Sequence, residues 1–531
     1  RDLHRLIRRQ RQMCIRDRLS SLSTSIDTMG EEPKWWDKNW SYREKIEIPI
    51  PSNIEYLKNQ PIDIKIIFKN KCWTKNETET SIRVCQWNGI EWNELESQIY
   101  NLKFSQVGNY IEECGVVFLI PETATGKETY YVYYDENEKS KTEYPDHVNI
   151  EEKFLYQEPI PGQKINVKFY AIKQEEYYTY YVAQEGELLD QPLSQNIVKL
   201  VDGTKKITPD TLEQFLQLSY SYYYGCTDDE FSSTAEKLVS KRIDVDGNLM
   251  VKFTISSKSD RGEIASTNTY TYYYCPTSDK KIRAHVRHEF LEDQYLPECV
   301  LYWDGSFGTL SSFKFKSNAI KELNFGKILP YLHIYGEDGI VKEYKLDENP
   351  YYKTSKKFLM NEEDVDLGEE AWVSFDGADK THAVLLSSNK NIVKQGSGER
   401  DGIQVKGFQV ELINIPGLEA DFTQVHLMRN AYENGVYDLQ IPGDLVVEFD
   451  AEFFTSDTIN YEKMGQEAEI FQSLAKLNPT DGEQYSSDNS ENNGEKFTLT
   501  VFAHAAPSFP LGNLLSVLTG KNLSYISAEI Y

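Results

Sequence analysis

Apolar and polar residues alternate along most of the chain. Ile46, Ile48 and Ile50 alternate with Lys45, Glu47 and Pro49, the two-residue period of a strand buried on one face. Residues 62–68 read Ile-Asp-Ile-Lys-Ile-Ile-Phe, and further strands are expected at 81–86, 116–120 and 130–134. Between two of these runs stands Trp87-Asn88-Gly89-Ile90-Glu91-Trp92. Asn-Gly in such a setting signals a hairpin, because both turn residues accept positive φ. About seven strands over residues 35–148 predict a β-sandwich.

Residues 150–477 repeat the pattern on a larger scale. Asp-Gly or Asn-Gly pairs at Asp202, Asp246, Asp304, Asp338, Asp376, Asp401 and Asn434 mark turns between alternating runs. Two or three helices are expected to interrupt them. One spans 210–218 behind Thr208-Pro209-Asp210; another spans 461–476, with Met464, Ala468, Ile470 and Phe471 on one side. No β-α-β alternation appears, so these strands predict a large antiparallel two-sheet sandwich. The Ser/Asn-rich stretch 478–496 reads as a linker, and 497–531 as the start of a further β-domain. The fold class is all-β: a multi-domain chain of antiparallel β-sandwiches with a few short helices.

Composition narrows the function classes. The 57 Lys+Arg against 84 Asp+Glu leave a net charge of −27. That disfavours nucleic acid as a partner, because phosphate neutralisation dominates such binding. No run approaches the ~18 apolar residues of a membrane span. Residues 1–18 oppose this balance, with seven arginines against two aspartates. Met13-Cys14-Ile15-Arg16-Asp17-Arg18 resembles a translated sequencing adapter, so the segment is read as non-native. Residues 19–34 are expected to be disordered, and both termini read as cut. Without residues 1–18, six cysteines remain: Cys72, Cys85, Cys114, Cys226, Cys275 and Cys299. An even count permits disulfides and an extracellular or cell-surface location, which the sequons at Asn39, Asn76 and Asn522 also fit.

The first unit resembles a small β-sandwich module of unknown function that opens many archaeal and bacterial surface proteins. Trp36…Trp40-Ser41-Tyr42-Arg43, the Trp87–Trp92 hairpin and Tyr130-Tyr131-Val132-Tyr133-Tyr134 carry the resemblance. It implies a surface module found beside carbohydrate-binding and other sandwich domains, with no catalytic residues. In size and hairpin density residues 150–477 resemble the supersandwich of galactose mutarotases and polysaccharide lyases, at the level of fold alone.

Familiar catalytic motifs are missing, and neither a cofactor nor a metal is expected. Asp244-x-Asp246-Gly247-Asn248 echoes a calcium loop but lacks its downstream glutamate, and a hairpin turn explains it better. The densest polar constellation is 283–290. Read as a strand, it places Arg283, His285, Arg287 and Glu289 on one face and Ala284, Val286, His288 and Phe290 on the other. His285 suits a general base, and the arginines suit a carboxylate or oxyanion clamp. The alternative is an exposed sheet face carrying Arg–Glu cross-strand pairs. Exposed aromatic rings stack on sugars, which makes Trp87, Trp92, Tyr178, Tyr180 and Tyr272 candidate glycan contacts; core packing is the alternative for each. The sequence thus favours an extracellular carbohydrate-binding protein whose partner is a carbohydrate or cell-envelope glycan. A lyase-like or mutarotase-like enzyme and a structural cell-envelope protein are the competing readings. The oligomeric state is not legible.

Overall fold

The structure is a computed structural model. The described residues lie between 33 and 484, without 201–216, 224–229, 297–308, 317–330, 346–357, 360–370, 397–404, 415–420, 430–438, 475–482 and shorter gaps. Trp35–Tyr485 form one compact unit, and every strand pair in it is antiparallel or an isolated bridge of the same sense.

Its first part is a two-sheet sandwich of β1 (Tyr42–Ile46), β2 (Pro61–Trp73), β3 (Ile82–Trp87), β4 (Trp92–Leu95), β5 (Ser97–Phe104), β6 (Tyr110–Leu119) and β7 (Thr129–Tyr134). One sheet runs β1-β7-β3-β4, with the short Glu483–Gln484 strand beside β1; the other runs β2-β6-β5. The expected period of two holds. Ile62, Ile64, Ile66 and Phe68 of β2 pack on Val84, Val116, Phe118, Val132 and Tyr134 in one buried cluster, while Lys65 and Ile67 face out.

The Trp87–Trp92 hairpin forms, but with a different turn from the one its Asn-Gly pair predicts. Trp87 pairs with Trp92 across a four-residue loop. Gly89 alone of the two turn residues takes positive φ (96°). Asn88 instead closes the loop with its side chain, whose Oδ1 accepts from the amides of Ile90 and Glu91, each at 2.9 Å. An Asx turn thus takes the place of a two-residue turn.

The second part holds two large sheets. Nine described strands form one, from Phe358–Leu359 at one edge to Val148–Ile160 at the other. Ten form the second, whose path begins Lys237–Asp246, Met250–Lys258, Ile264–Tyr273, Lys280–Phe290 and then crosses to Val446–Ser456. Phe253, Ile255, Tyr270, Ile282, Val286, Ala451 and Phe453 line its inner face and are buried. Tyr170 and Ile172 of the nine-stranded sheet are buried too, and Tyr170 meets Phe253 edge-on at 5.9 Å.

Of the helices expected at 210–218 and 461–476, the later one forms. A 3-10 turn (Tyr461–Lys463) leads into α1 (Met464–Leu474). Residues 210–216 lie outside the described residues, and Gln217 and Leu218 belong to a strand, Gln217–Ser219, paired with Lys314 and Phe313. α1 packs in two directions. Met464, Ala468 and Phe471 join Trp372, Leu385 and Phe454 of the ten-stranded sheet; Ile470 and Leu474 join the sandwich core. Burying each of the latter two is worth roughly 1.5–3 kcal/mol. Between the two apolar sides Glu467 holds Lys281 at 2.6 Å and Gln60 at 2.8 Å. Sandwich, sheet and helix therefore meet at one buried ion pair.

Cys72, Cys85, Cys114 and Cys275 are buried free thiols, acting as small apolar fillers. Cys226 and Cys299 lie outside the described residues.

Candidate functional site

The strand period that fills the sandwich core also builds its outer face. Arg43 of β1, Tyr131 and Tyr133 of β7, Arg83, Cys85 and Trp87 of β3, and Trp92 and Glu94 of β4 alternate with core residues and point away from them. The chain on either side, at 35–41 and 135–144, folds over this face. Trp35 and Trp36 pack on Tyr133 at 5.4 and 5.5 Å between ring centroids. The Arg43 guanidinium lies between the rings of Trp35 and Tyr131, at 4.6 and 4.5 Å. Arg83 lies over Trp40 at 5.4 Å and donates to the carbonyls of Thr80, Ile82 and Ser140. Asp135 ties the flanks together, accepting from Ser41 N and Oγ at 2.8 Å and from Asn137 N at 2.8 Å. Burial pushes its carboxyl up, yet these hydrogen bonds and Lys139 outweigh burial and hold it below the usual value.

Trp87 and Trp92 stand where this cover ends. Both are half-buried, with ring centroids 5.4 Å apart and planes at 51°. Trp92 is backed edge-on by Tyr131 and Tyr133, at 5.5 and 5.7 Å. Beside it, Glu94 accepts from the Tyr144 hydroxyl at 2.7 Å and pairs with Arg83 Nε at 3.4 Å. Tyr144 and Glu94 are exposed to a degree that Arg83, almost fully buried, is not. The result is a pair of partly open indoles, of which Trp92 is backed by two tyrosines, next to a carboxylate and a phenol.

The 283–289 constellation sits on the strand Lys280–Phe290, and its polar residues share the outer face of the ten-stranded sheet. Each faces a residue of Val446–Ser456: Arg283 opposite Glu452, His285 opposite Asp450, Arg287 opposite Glu448. The ion pairs follow this register. Arg283 Nε lies 2.8 Å from Glu452, His285 Nδ1 2.8 Å from Asp450, and Arg287 Nη1 3.0 Å from Glu448. Glu289 completes the ladder, 3.5 Å from Arg287 Nη2. This is a sheet face of cross-strand pairs, so each cation already holds a carboxylate.

The ladder is graded in exposure. Arg283 is covered by Tyr273 and by Phe471 of α1, at 5.0 and 5.3 Å from the ring centroids. His285 stays 45% exposed. The Asp450 hydrogen bond raises its pKa against the opposing effect of burial. On the inner face His288 is buried, and burial pushes its pKa down to about 3.

The remaining candidates divide. Tyr272 is fully buried, and its hydroxyl donates to Gln174 Oε1 at 2.6 Å. Its place in Ile264–Tyr273 puts it on the inner face, so it presents no ring to a ligand. Tyr178 and Tyr180 lie in the strand Tyr177–Leu188, opposite Lys173 and Ile172; their side chains lie outside the described residues. Asp244 is engaged by Arg242 and Thr254, as befits a hairpin. Sequence reasoning missed Arg43, Arg83 and Asp135. The signal for the two arginines was present, since each alternates with apolar residues in a strand whose outer face also carries aromatics.

No protein-family model matches the chain, and no curated protein matches it. Among solved structures it is similar to a protein in the glycosyl hydrolase family 38 from Enterococcus faecalis, at 7% identity and TM-score 0.41 over 85% of this chain and 48% of that one. It is also similar to an α-mannosidase from Enterococcus faecalis V583, at 8% identity and TM-score 0.41 over 85% and 46%. A GH36 α-galactosidase from Geobacillus stearothermophilus matches at 13% identity and TM-score 0.26 over 58% and 41%. The chain spans about half the length of the first two.

Proposed function

We propose that the protein is an extracellular or cell-surface carbohydrate-binding protein, and that Trp87 and Trp92 hold the glycan. The supporting observation is the half-buried indole pair, in which Trp92 is backed by Tyr131 and Tyr133 and stands beside Glu94 and Tyr144. An indole face takes up the C–H side of a sugar ring, and a rigid platform loses little entropy on binding. The carboxylate and the phenol oxygen at its edge, the phenol proton being given to Glu94, both accept hydrogen bonds from sugar hydroxyls. The test is binding of the full chain to a panel of neutral and acidic polysaccharides immobilised in gels. Retardation by at least one polymer, removed in Trp87→Ala, is expected. Free migration through every polymer would end the proposal.

A second reading is favoured by the half-exposed His285–Asp450 pair, which has the geometry of an oriented base. It makes the ten-stranded sheet a lyase-like or mutarotase-like enzyme. Release of new chain ends from a polysaccharide, abolished in His285→Ala, is its expected signature; release at an equal rate in that variant refutes it.

A further inference from the structure

Trp92 and Glu94 are two residues apart on β4 and so share one face, about 7 Å from each other. Trp87 stands opposite Trp92, and Cys85 opposite Glu94, so the carboxylate lies one step along the sheet from both indoles. Its side chain is 36% exposed. The contacts it makes among the described residues fall on one oxygen. The Tyr144 hydroxyl donates to Oε1 at 2.7 Å, and Arg83 Nε lies 3.4 Å from the same atom. The Arg83 side chain is only 4% exposed, and its Nη groups donate to the carbonyls of Thr80, Ile82 and Ser140. Arg83 backs the carboxylate from inside and is not offered to a ligand.

The polar edge of the platform is therefore made of acceptors. An ionised carboxylate accepts only. Tyr144 has given its proton to Glu94, and burial and that carboxylate both raise the phenol's pKa, so the proton stays. The sign of charge is uniform as well. Residues 87–96 hold Glu91, Glu94 and Glu96 with neither lysine nor arginine, and Glu91 is exposed beside the hairpin turn. A uronate is repelled here. A neutral ring stacks on the indoles and gives hydroxyl protons to the edge. An ammonium brings three donors and no acceptor, opposes the charge of Glu94, and is attracted to an indole face.

We propose that the glycan held by Trp87 and Trp92 is an amino sugar with a free, protonated amine, its ring stacked on Trp92 and its ammonium paired with Glu94. This assignment rests on the glycan reading above and makes Glu94 the residue that sets its specificity. A pyranose over the indole reaches the carboxylate with one ring substituent. The net charge of −27 draws a cationic polymer toward the molecule from a distance.

The experiment is calorimetric titration of the full chain, in mildly acidic buffer, with a glucosamine oligomer (chitosan), the same oligomer fully N-acetylated (chitin), oligogalacturonate and oligolysine. The amine form is expected to bind roughly tenfold or more tightly than the N-acetylated form, which keeps the ring and loses the charge, and to weaken as salt is raised. Glu94→Gln is expected to erase most of that difference, since glutamine still accepts from a hydroxyl but carries no charge. Trp87→Ala is expected to weaken both forms. Equal or tighter binding of the N-acetylated or galacturonate oligomer, lost in Trp87→Ala, would overturn the amino-sugar assignment and leave the platform standing. Oligolysine bound as tightly as the amine form would also overturn it, because charge alone would then suffice. Salt-independent binding of the amine form decides against it even if Glu94→Gln fails to fold. Binding of none of these oligomers, while a polysaccharide is still retarded through Trp87, would overturn the assignment alone; loss of both removes the platform with it.

Discussion

Gly247 shows how a single residue earns its place for a reason invisible nearby in sequence. Asp246-Gly247 reads as a turn, yet Gly247 is not among the glycines with positive φ. A Cβ there would lie 2.3 Å from the side chain of Gln98. Gln98 Oε1 accepts from the amides of Leu249 and Met250 at 2.8 and 2.7 Å, and its Nε2 donates to Met250 O at 3.1 Å. Gly247→Ala forces that amide aside and leaves buried backbone groups unsatisfied. A loss of about 1–3 kcal/mol is expected in chemical unfolding, with no change in glycan binding. An unchanged midpoint would show that Gln98 moves freely. His288 offers a pH test at the same scale. Its folded pKa, about 3, lies below the usual 6.5, so the unfolded chain takes up the proton first. Its contribution is complete above pH 6.5 and is lost as pH falls toward 3. His288→Leu is expected to flatten the decline in stability over that window, whereas an identical slope would mean another group titrates there.

Along the Lys280–Phe290 strand, the period of two correctly separated Arg283, His285, Arg287 and Glu289 from Ala284, Val286 and Phe290. Alternation is a local property and survives folding. The partners were not legible, because Glu448, Asp450 and Glu452 come from a strand more than 150 residues on, and register is fixed by the whole sheet. The same limit explains Tyr272, where alternation gives two faces without saying which one is covered. The graded ladder yields a contrast. Arg283→Ala strands Glu452, which is 2% exposed, and is expected to cost about 3–5 kcal/mol. Arg287→Ala, whose partners Glu448 and Glu289 keep partial access to water, is expected to cost at most ~1 kcal/mol. Equal losses in urea titrations of the two variants would contradict the grading. α1 was legible from its apolar spacing, but its double role was not. A helix that seals the sandwich with Ile470 and Leu474 while packing on a sheet with Phe471 reads simply as amphipathic.

At the scale of the molecule, Glu467 and Lys281 fasten three parts at one point. Burial pushes both toward neutrality, but each charge holds the other ionised, so Glu467 is lowered and Lys281 raised. Glu467 therefore stabilises the fold above its usual 4.5, and that contribution is lost as pH falls through its depressed folded value. Lys281 contributes below its usual value and loses that only in strong alkali. Acid is accordingly expected to loosen the sandwich–sheet junction, and Glu467→Gln to remove part of this acid sensitivity. The all-β class was evident in the sequence because turn residues and period-two runs recur throughout. The aromatic–arginine layer was not, because residues 35–41 and 135–144 cover one sheet from opposite ends of the sandwich. Its edge carries the central claim, that Trp87 and Trp92 form a glycan platform. The most direct measurement is the affinity of the full chain and of Trp87→Ala for whichever polysaccharide retards it, by calorimetry at neutral pH. The indole pair predicts a loss of tenfold or more with an unchanged unfolding midpoint. Equal affinity in a folded Trp87→Ala chain would contradict it.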